Sequence, residues 1–131
     1  MKRRILVSED NEHNRYLITF ILENAGHDVV QARDGREGIA LAGRVAPDMI
    51  LLDIQLPEMD GYAVAGELKK NPSNADIPIV AVTSYAMVGD RERALGAGCV
   101  GYIEKPIDPD TCVDQIERYL PGREVDTGDG S

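Results

Sequence analysis

Reactive side chains recur at one kind of place in this sequence, directly after or at the end of a short apolar segment. Glu9 and Asp10 follow residues 5–8, Asp53 ends residues 49–53, Thr83 ends residues 79–83 with Ser84 next, and Lys105 and Pro106 follow residues 100–104. The run before Asp53 enters the carboxylate without a polar spacer and is broken off at Pro57. If these segments are neighbouring parallel strands, the reactive groups share the carboxyl-end rim where open α/β sheets bind ligands. Two carboxylates about 4 Å apart repel by roughly 4 kcal/mol at an effective dielectric of about 20, so Glu9, Asp10 and Asp53 need compensation to crowd together. Their three negative charges against the one ammonium of Lys105 leave −2. A divalent cation cancels that charge, and hard oxygen donors suit Mg2+. A metal flanked by an ammonium and a hydroxyl suits a phosphoryl group in transfer. Asp53, the central carboxylate, is then placed as a nucleophile able to form an acyl phosphate.

The elements that must position these groups are legible as an alternation. Strand candidates are residues 5–8, 28–31, 49–53, 79–83 and 100–104, each a short run bounded by turn or helix signals. Between them, Leu17, Ile18, Ile21, Leu22 and Ala25 keep the spacing of a helix face that Gly26 ends. A weaker helix covers residues 35–45, a third residues 61–69, and a short charged one residues 89–95. The last helix shows the clearest stripe, Cys112, Val113, Ile116, Tyr119 and Leu120, with Asp108 or Asp110 expected to cap its start. Strict βαβ alternation predicts a parallel sheet covered by helices on both faces. Residues 1–120 are expected to form one domain and residues 121–131 a flexible tail without periodicity or core.

Composition narrows the function classes. Net charge is −9, from 23 acidic and 14 basic residues, which argues against nucleic acid or an anionic membrane as a direct partner. No apolar run approaches the roughly 20 residues of a membrane helix, and the stretch after the basic start is too short for a secretory signal. A cytoplasmic location is expected. Cys99 and Cys112 lack metal or redox spacing and read as buried free thiols; His13 and His27 read as surface residues. Gly96, Gly98 and Gly101 spell GxGxxG, but the motif ends a helix and enters a strand, the reverse of a dinucleotide site. Gly96 or Gly98 is expected to stop the helix instead.

ILVSEDN at residues 5–11, LLDIQLPEMDG at 51–61, IVAVTS at 79–84 and YIEKP at 102–106 together resemble the signature blocks of bacterial response-regulator receiver domains. DIQLPE and the stretch from Ala86 to Asp108 particularly resemble single-domain regulators of the DivK type and receivers attached to hybrid histidine kinases. The resemblance spans residues 4 to about 120. It implies a flavodoxin-like (βα)5 doubly wound fold with strand order 2-1-3-4-5. By the same resemblance Asp53 is the phosphorylated aspartate, and Asp10 and Asp53 are direct Mg2+ ligands. Glu9 acts through water, and the Gln55 backbone carbonyl completes the protein's share. It further implies that Lys105 pairs with the phosphoryl group, that the Lys105–Pro106 bond is cis, and that Thr83 swings onto the phosphoryl oxygen with Tyr102 following. Gln55 and Tyr85 occupy positions that tune dephosphorylation. The implied partners are a histidine kinase or histidine phosphotransferase and, through the face of the last two helices and fifth strand, a downstream protein. The chain is expected to stand alone and to act as a signalling protein rather than an enzyme.

Each residue alone has a plainer reading: Thr83 as a β-branched strand residue, Lys105 as a solvated lysine, Glu9 and Asp10 as helix-start acids. One phosphoryl site accounts for all of them at once. The competing readings are a Mg2+-dependent phosphohydrolase with an aspartyl nucleophile, and a scaffold that binds partners without phosphorylation. Gln55 stands where such hydrolases usually carry a second acid.

Overall fold

A computed structural model of the chain describes residues 2–55, 60–83 and 90–120. Pro57, Ser84, Tyr85 and the expected tail at 121–131 lie outside the described residues. Five strands, β1 (Arg4–Ser8), β2 (Asp28–Ala32), β3 (Met49–Asp53), β4 (Ile79–Thr83) and β5 (Gly101–Glu104), alternate with helices α1 (Glu12–Asn24), α2 (Gly35–Val45), α3 (Gly61–Lys70), α4 (Asp90–Gly96) and α5 (Cys112–Glu117). The strands form one parallel sheet in the order β2-β1-β3-β4-β5, the flavodoxin-like arrangement.

Alternation along each strand divides the core in two. Ile5, Val7, Met49, Leu51, Val80, Val82 and Ile103 point to one face, where they meet Ile18 and Leu22 of α1 and Cys112 and Ile116 of α5. Leu6, Ile50, Leu52, Ile79 and Ala81 point to the other, where they meet Ala42 of α2, Val64, Ala65 and Leu68 of α3 and Ala94 of α4. A sheet covered on both faces needs apolar residues at every position, which is why β3 and β4 are buried throughout.

Local chemistry sets where the helices begin. Asn11 starts α1 by accepting the Asn14 N–H at 2.9 Å, Asp34 starts α2 by accepting from Glu37 at 2.9 Å, and Asp60 starts α3 by accepting from Ala63 at 2.9 Å. These are side-chain caps of helix N–H groups that have no intrahelical partner. The expected cap of α5 is not formed by either aspartate side chain. Thr111 holds the cap position without a side-chain bond, while the Asp108 carboxylate turns onto the Asp110 N–H at 2.9 Å. An aspartate that bonds the backbone two residues on makes its own turn and is no longer available to the helix. At the end of α4, Gly98 rather than Gly96 is the stop: its φ is +102°, and Cys99 N–H reaches back to Ala94 O at 3.0 Å.

His27 corrects the sequence expectation of a surface residue. Its side chain is fully buried, with Nδ1 accepting the Arg3 N–H at 3.1 Å and Nε2 lying 2.8 Å from Glu117 Oε2. Because Nδ1 accepts, the proton sits on Nε2 and is donated to Glu117, so a neutral imidazole serves both partners. The ring ties the start of β1 to α5. A lone histidine after a helix-stopping glycine carries no periodicity, so nothing in the sequence pattern marks it as interior. Replacing His27 with Ala strands the Arg3 N–H and the Glu117 carboxylate and is expected to lower stability by about 2–3 kcal/mol. Glu117→Gln, which keeps an acceptor oxygen, should cost under about 1 kcal/mol; urea unfolding of the two variants checks the difference.

Candidate functional site

The sheet order reverses direction between β1 and β3: α1 carries the chain from β1 outward to β2, and α3 carries it from β3 the other way to β4. A crevice opens at the carboxyl ends of strands at such a switch point. Beyond β1, β3 and β5 the pairing extends one residue into the rim. Glu9 N–H bonds Ala32 O at 3.0 Å, Ile54 N–H bonds Val82 O at 3.0 Å and Lys105 N–H bonds Thr83 O at 2.7 Å. The ladder therefore delivers Glu9, Asp53, Thr83 and Lys105 to one rim with backbone precision.

Side chains converge there. Carboxylate oxygens of Glu9, Asp10 and Asp53 lie within 4.8 Å of one another, Glu9 and Asp53 buried and Asp10 exposed. Lys105 Nζ sits between the two buried acids, 3.3 Å from Asp53 Oδ2 and 3.1 Å from Glu9 Oε1. Asp53 Oδ1 accepts the Gln55 N–H at 3.0 Å, and Glu9 Oε2 accepts the Asn11 N–H at 3.1 Å. Glu9 Oε1 is ion-paired with Lys105 in distance but lacks hydrogen-bond geometry, which leaves a buried carboxylate oxygen without a hydrogen bond. Thr83 is buried at the end of β4, and the Lys105–Pro106 peptide bond is cis. Tyr102 is half-buried and pairs in register with Ala81. It lines a groove of about 340 Å3 with Leu95, Val100, Gln115 and Tyr119, between α4, β5 and α5. A second cavity of about 520 Å3 opens on Lys105, Pro106 and Ile107 and is walled by His13, Asn14 and Leu17 of α1.

The electrostatics follow from burial. Burial first, and the neighbouring Asp53 next, raise the Glu9 carboxyl to about 7 against the smaller downward pull of the Asn11 N–H and Lys105. Burial works against the Lys105 ammonium, but Asp53 and Glu9 outweigh it and hold its pKa above the ordinary lysine value. The donor set is entirely hard oxygen and carries more negative charge than one lysine balances, which fits a small divalent cation such as Mg2+. Away from the site, burial pushes both thiols, Cys99 and Cys112, up to about 11, so neither is a thiolate near neutral pH.

Two further residues, Gly61 at the end of the 51–61 block and Arg15 outside any block, shape the backbone around the site. Gly61 opens α3 directly against the site strand: a Cβ there would stand 2.6 Å from both the Asp53 carbonyl oxygen and Ile54 Cα. Its N–H instead bonds Ile54 O at 2.9 Å. Arg15, on α1, donates from Nη1 to the Glu9 carbonyl at 2.9 Å. The 51–61 block includes Gly61 without saying why a glycine is needed there, and no spacing in the sequence reports the Arg15 contact.

The family model of the response regulator receiver domain matches residues 5–117, and the chain belongs to that family. It is 41% identical over 120 residues to the polar-differentiation response regulator DivK of Brucella anthropi, covering 92% of this chain and 98% of that protein. Chemotaxis protein CheY4 of Vibrio cholerae superposes with a TM-score of 0.87 at 26% identity, covering 92% of this chain and all of that one, 100%. The receiver domain of a sensor histidine kinase from Pseudomonas aeruginosa superposes with a TM-score of 0.82 at 34% identity, covering 91% and 98% of the two chains; its structure has a magnesium ion coordinated in the active site cleft. No helix among the described residues is long and apolar enough to cross a membrane.

The raised Glu9 carboxyl has a signed consequence for stability. Its folded value lies above the ordinary 4.5, so between about pH 4.5 and about pH 7 the folded protein keeps a proton that the unfolded chain has lost. Stability of the metal-free protein therefore falls as pH rises through that window, by up to about 3 kcal/mol, and the loss is complete above it. Urea unfolding in chelator at about pH 5 and about pH 8 should show the fall in wild type and a flattened profile in Glu9→Gln.

Proposed function

We propose that the chain is a phosphoacceptor receiver that takes a phosphoryl group from a phosphohistidine onto Asp53, with Mg2+, and signals through protein contact. The observation that carries this reading is the placement of Lys105 Nζ 3.3 Å from Asp53 Oδ2 beside three carboxylates gathered within 4.8 Å. The receiver unit is taken as residues 1–120. Asp10, Asp53 and the Gln55 backbone carbonyl would hold the metal directly and Glu9 through water, in keeping with the buried Glu9 oxygen that has no hydrogen bond. When bound, the ion supplies charge neutralisation at the phosphoryl oxygens.

The chain's own residues do the rest. An Asp53 carboxylate oxygen attacks phosphorus, the P–N bond to the donor imidazole breaks, and the electron pair leaves on the imidazole nitrogen, which takes a proton. Lys105, already aimed at Asp53, follows the transferred negative charge. Thr83, one residue beyond the strand position that pairs with Asp53, brings its hydroxyl to the phosphoryl oxygen. Tyr102 moves with it, and the groove between α4, β5 and α5 changes shape for the downstream protein: a local electrostatic event biases a two-state surface. Gln55 is placed beside the acceptor to tune how long the phosphoryl group lasts; Tyr85, assigned the same role, lies outside the described residues. The donor is a histidine kinase or histidine phosphotransferase, and the working location is the cytoplasm.

Intact mass after incubation with acetyl phosphate and Mg2+ tests the proposal. Wild type should gain about 80 Da, one phosphoryl group, and Asp53→Asn should gain none. No gain on wild type, or an equal gain on the variant, would refute it. Steady multiple-turnover release of phosphate from small esters would instead mark a phosphohydrolase, and partner affinity unchanged in Asp53→Asn would mark a scaffold.

A further inference from the structure

Asp10 is the exposed member of the acidic cluster, and among the described residues its carboxylate makes no hydrogen bond or ion pair. Its position is therefore set by the backbone on either side of it. On the following side, Asn11 N–H bonds Glu9 Oε2 at 3.1 Å and the Asn11 side chain caps α1. On the preceding side, the carbonyl of the Glu9–Asp10 peptide accepts from Arg15 Nη1 at 2.9 Å. The same guanidinium donates from Nε to Gln31 Oε1 at 3.2 Å, and Gln31 belongs to β2, the strand paired with β1. Arg15 N–H in turn bonds Asn11 O at 2.9 Å. One planar fork thus spans from α1 across the ends of β1 and β2 and fixes the peptide plane from which Asp10 projects.

We propose that Arg15 is a positioning residue for the metal site: it orients the Glu9–Asp10 peptide so that Asp10 faces Asp53 at coordinating distance. The inference rests on the reading of the acidic cluster as a Mg2+ site and adds to it a residue that touches neither metal nor phosphoryl group. Its sign separates it from plain electrostatics. A guanidinium beside an acidic cluster repels a cation, so by charge alone its removal tightens metal binding. By positioning, its removal weakens binding.

Calorimetric titration of the full chain with Mg2+ decides between them. Arg15→Met keeps the unbranched stem and loses charge and donors; its dissociation constant should rise roughly tenfold or more, on the scale of one lost hydrogen bond from a charged donor. Arg15→Lys keeps the charge without the planar fork and should also bind Mg2+ more weakly than wild type. The metal-free melting temperature of both variants should fall by no more than a few degrees, because Arg15 is half-buried on a helix surface and its partners can turn to water. An Arg15→Met affinity equal to or tighter than wild type would overturn the inference while leaving the site reading intact, as would a fall in metal-free melting temperature with unchanged affinity. Should Arg15→Met not fold, Arg15→Lys decides alone: wild-type affinity overturns the inference. Failure of wild type to bind Mg2+ would overturn the site reading and this inference with it.

Discussion

Three carboxyl groups whose oxygens lie within 4.8 Å of one another, two of them buried, meet a single ammonium between them. This repulsion, and its incomplete relief by Lys105, is what the rest of the structure is arranged around. At distances near 4 Å each uncompensated pair costs several kcal/mol even at a generous effective dielectric, so the folded chain must hold these groups together by force of architecture. Part of the cost is absorbed by protonation, since the Glu9 carboxyl is pushed up to about 7. Part is absorbed by the N–H groups of Asn11 and Gln55, each donated to a carboxylate oxygen. What remains is an electrostatic demand for positive charge, and the proposed chemistry consists of meeting it.

The architecture that imposes this crowding is the doubly packed sheet. Residues alternating to the two faces bury nearly all of β1, β3 and β4, and the large apolar area removed from water outweighs the local penalty at the rim. Strand register then converts burial into geometry, because a slip of one residue would turn every core side chain to the wrong face. Asp53 cannot leave its neighbours without that slip. The close approach of Gly61 to Asp53 and Ile54 closes the remaining side of the site with backbone rather than side chain. On the opposite edge, the His27 ring between Arg3 and Glu117 locks α5 to the sheet, so that the α4, β5 and α5 surface stands on a fixed base.

Much of this was legible in the sequence because it depends on pattern. Strands at 49–53 and 79–83 announce themselves as continuous apolar runs, and their bounds agree with the structure to the residue. The reactive groups could be gathered on one rim because each follows a strand, and alternation implied that the strands run parallel. The difference between Glu9 and Asp10, adjacent acids of which one is buried and the other exposed, was not readable, since it depends on which way the chain turns after β1. The same is true of Arg15, whose role comes from a carbonyl six residues earlier and a side chain on another strand. His27 and the missing α5 cap show the same limit: an isolated polar residue has no period, and its partners, 24 and 90 residues away for His27, become visible only in the fold.

The central claim is that excess negative charge, held in place by the sheet, creates a site for a divalent cation. Unfolding free energy measured across a Mg2+ titration addresses it directly, because a ligand that binds only the folded state adds about 1.4 kcal/mol at ten times its dissociation constant. Wild type should gain stability steadily with Mg2+, while Asp10→Asn should be more stable than wild type in chelator and respond weakly or not at all to the ion. A wild-type protein equally stable in chelator and in saturating Mg2+ would contradict the account.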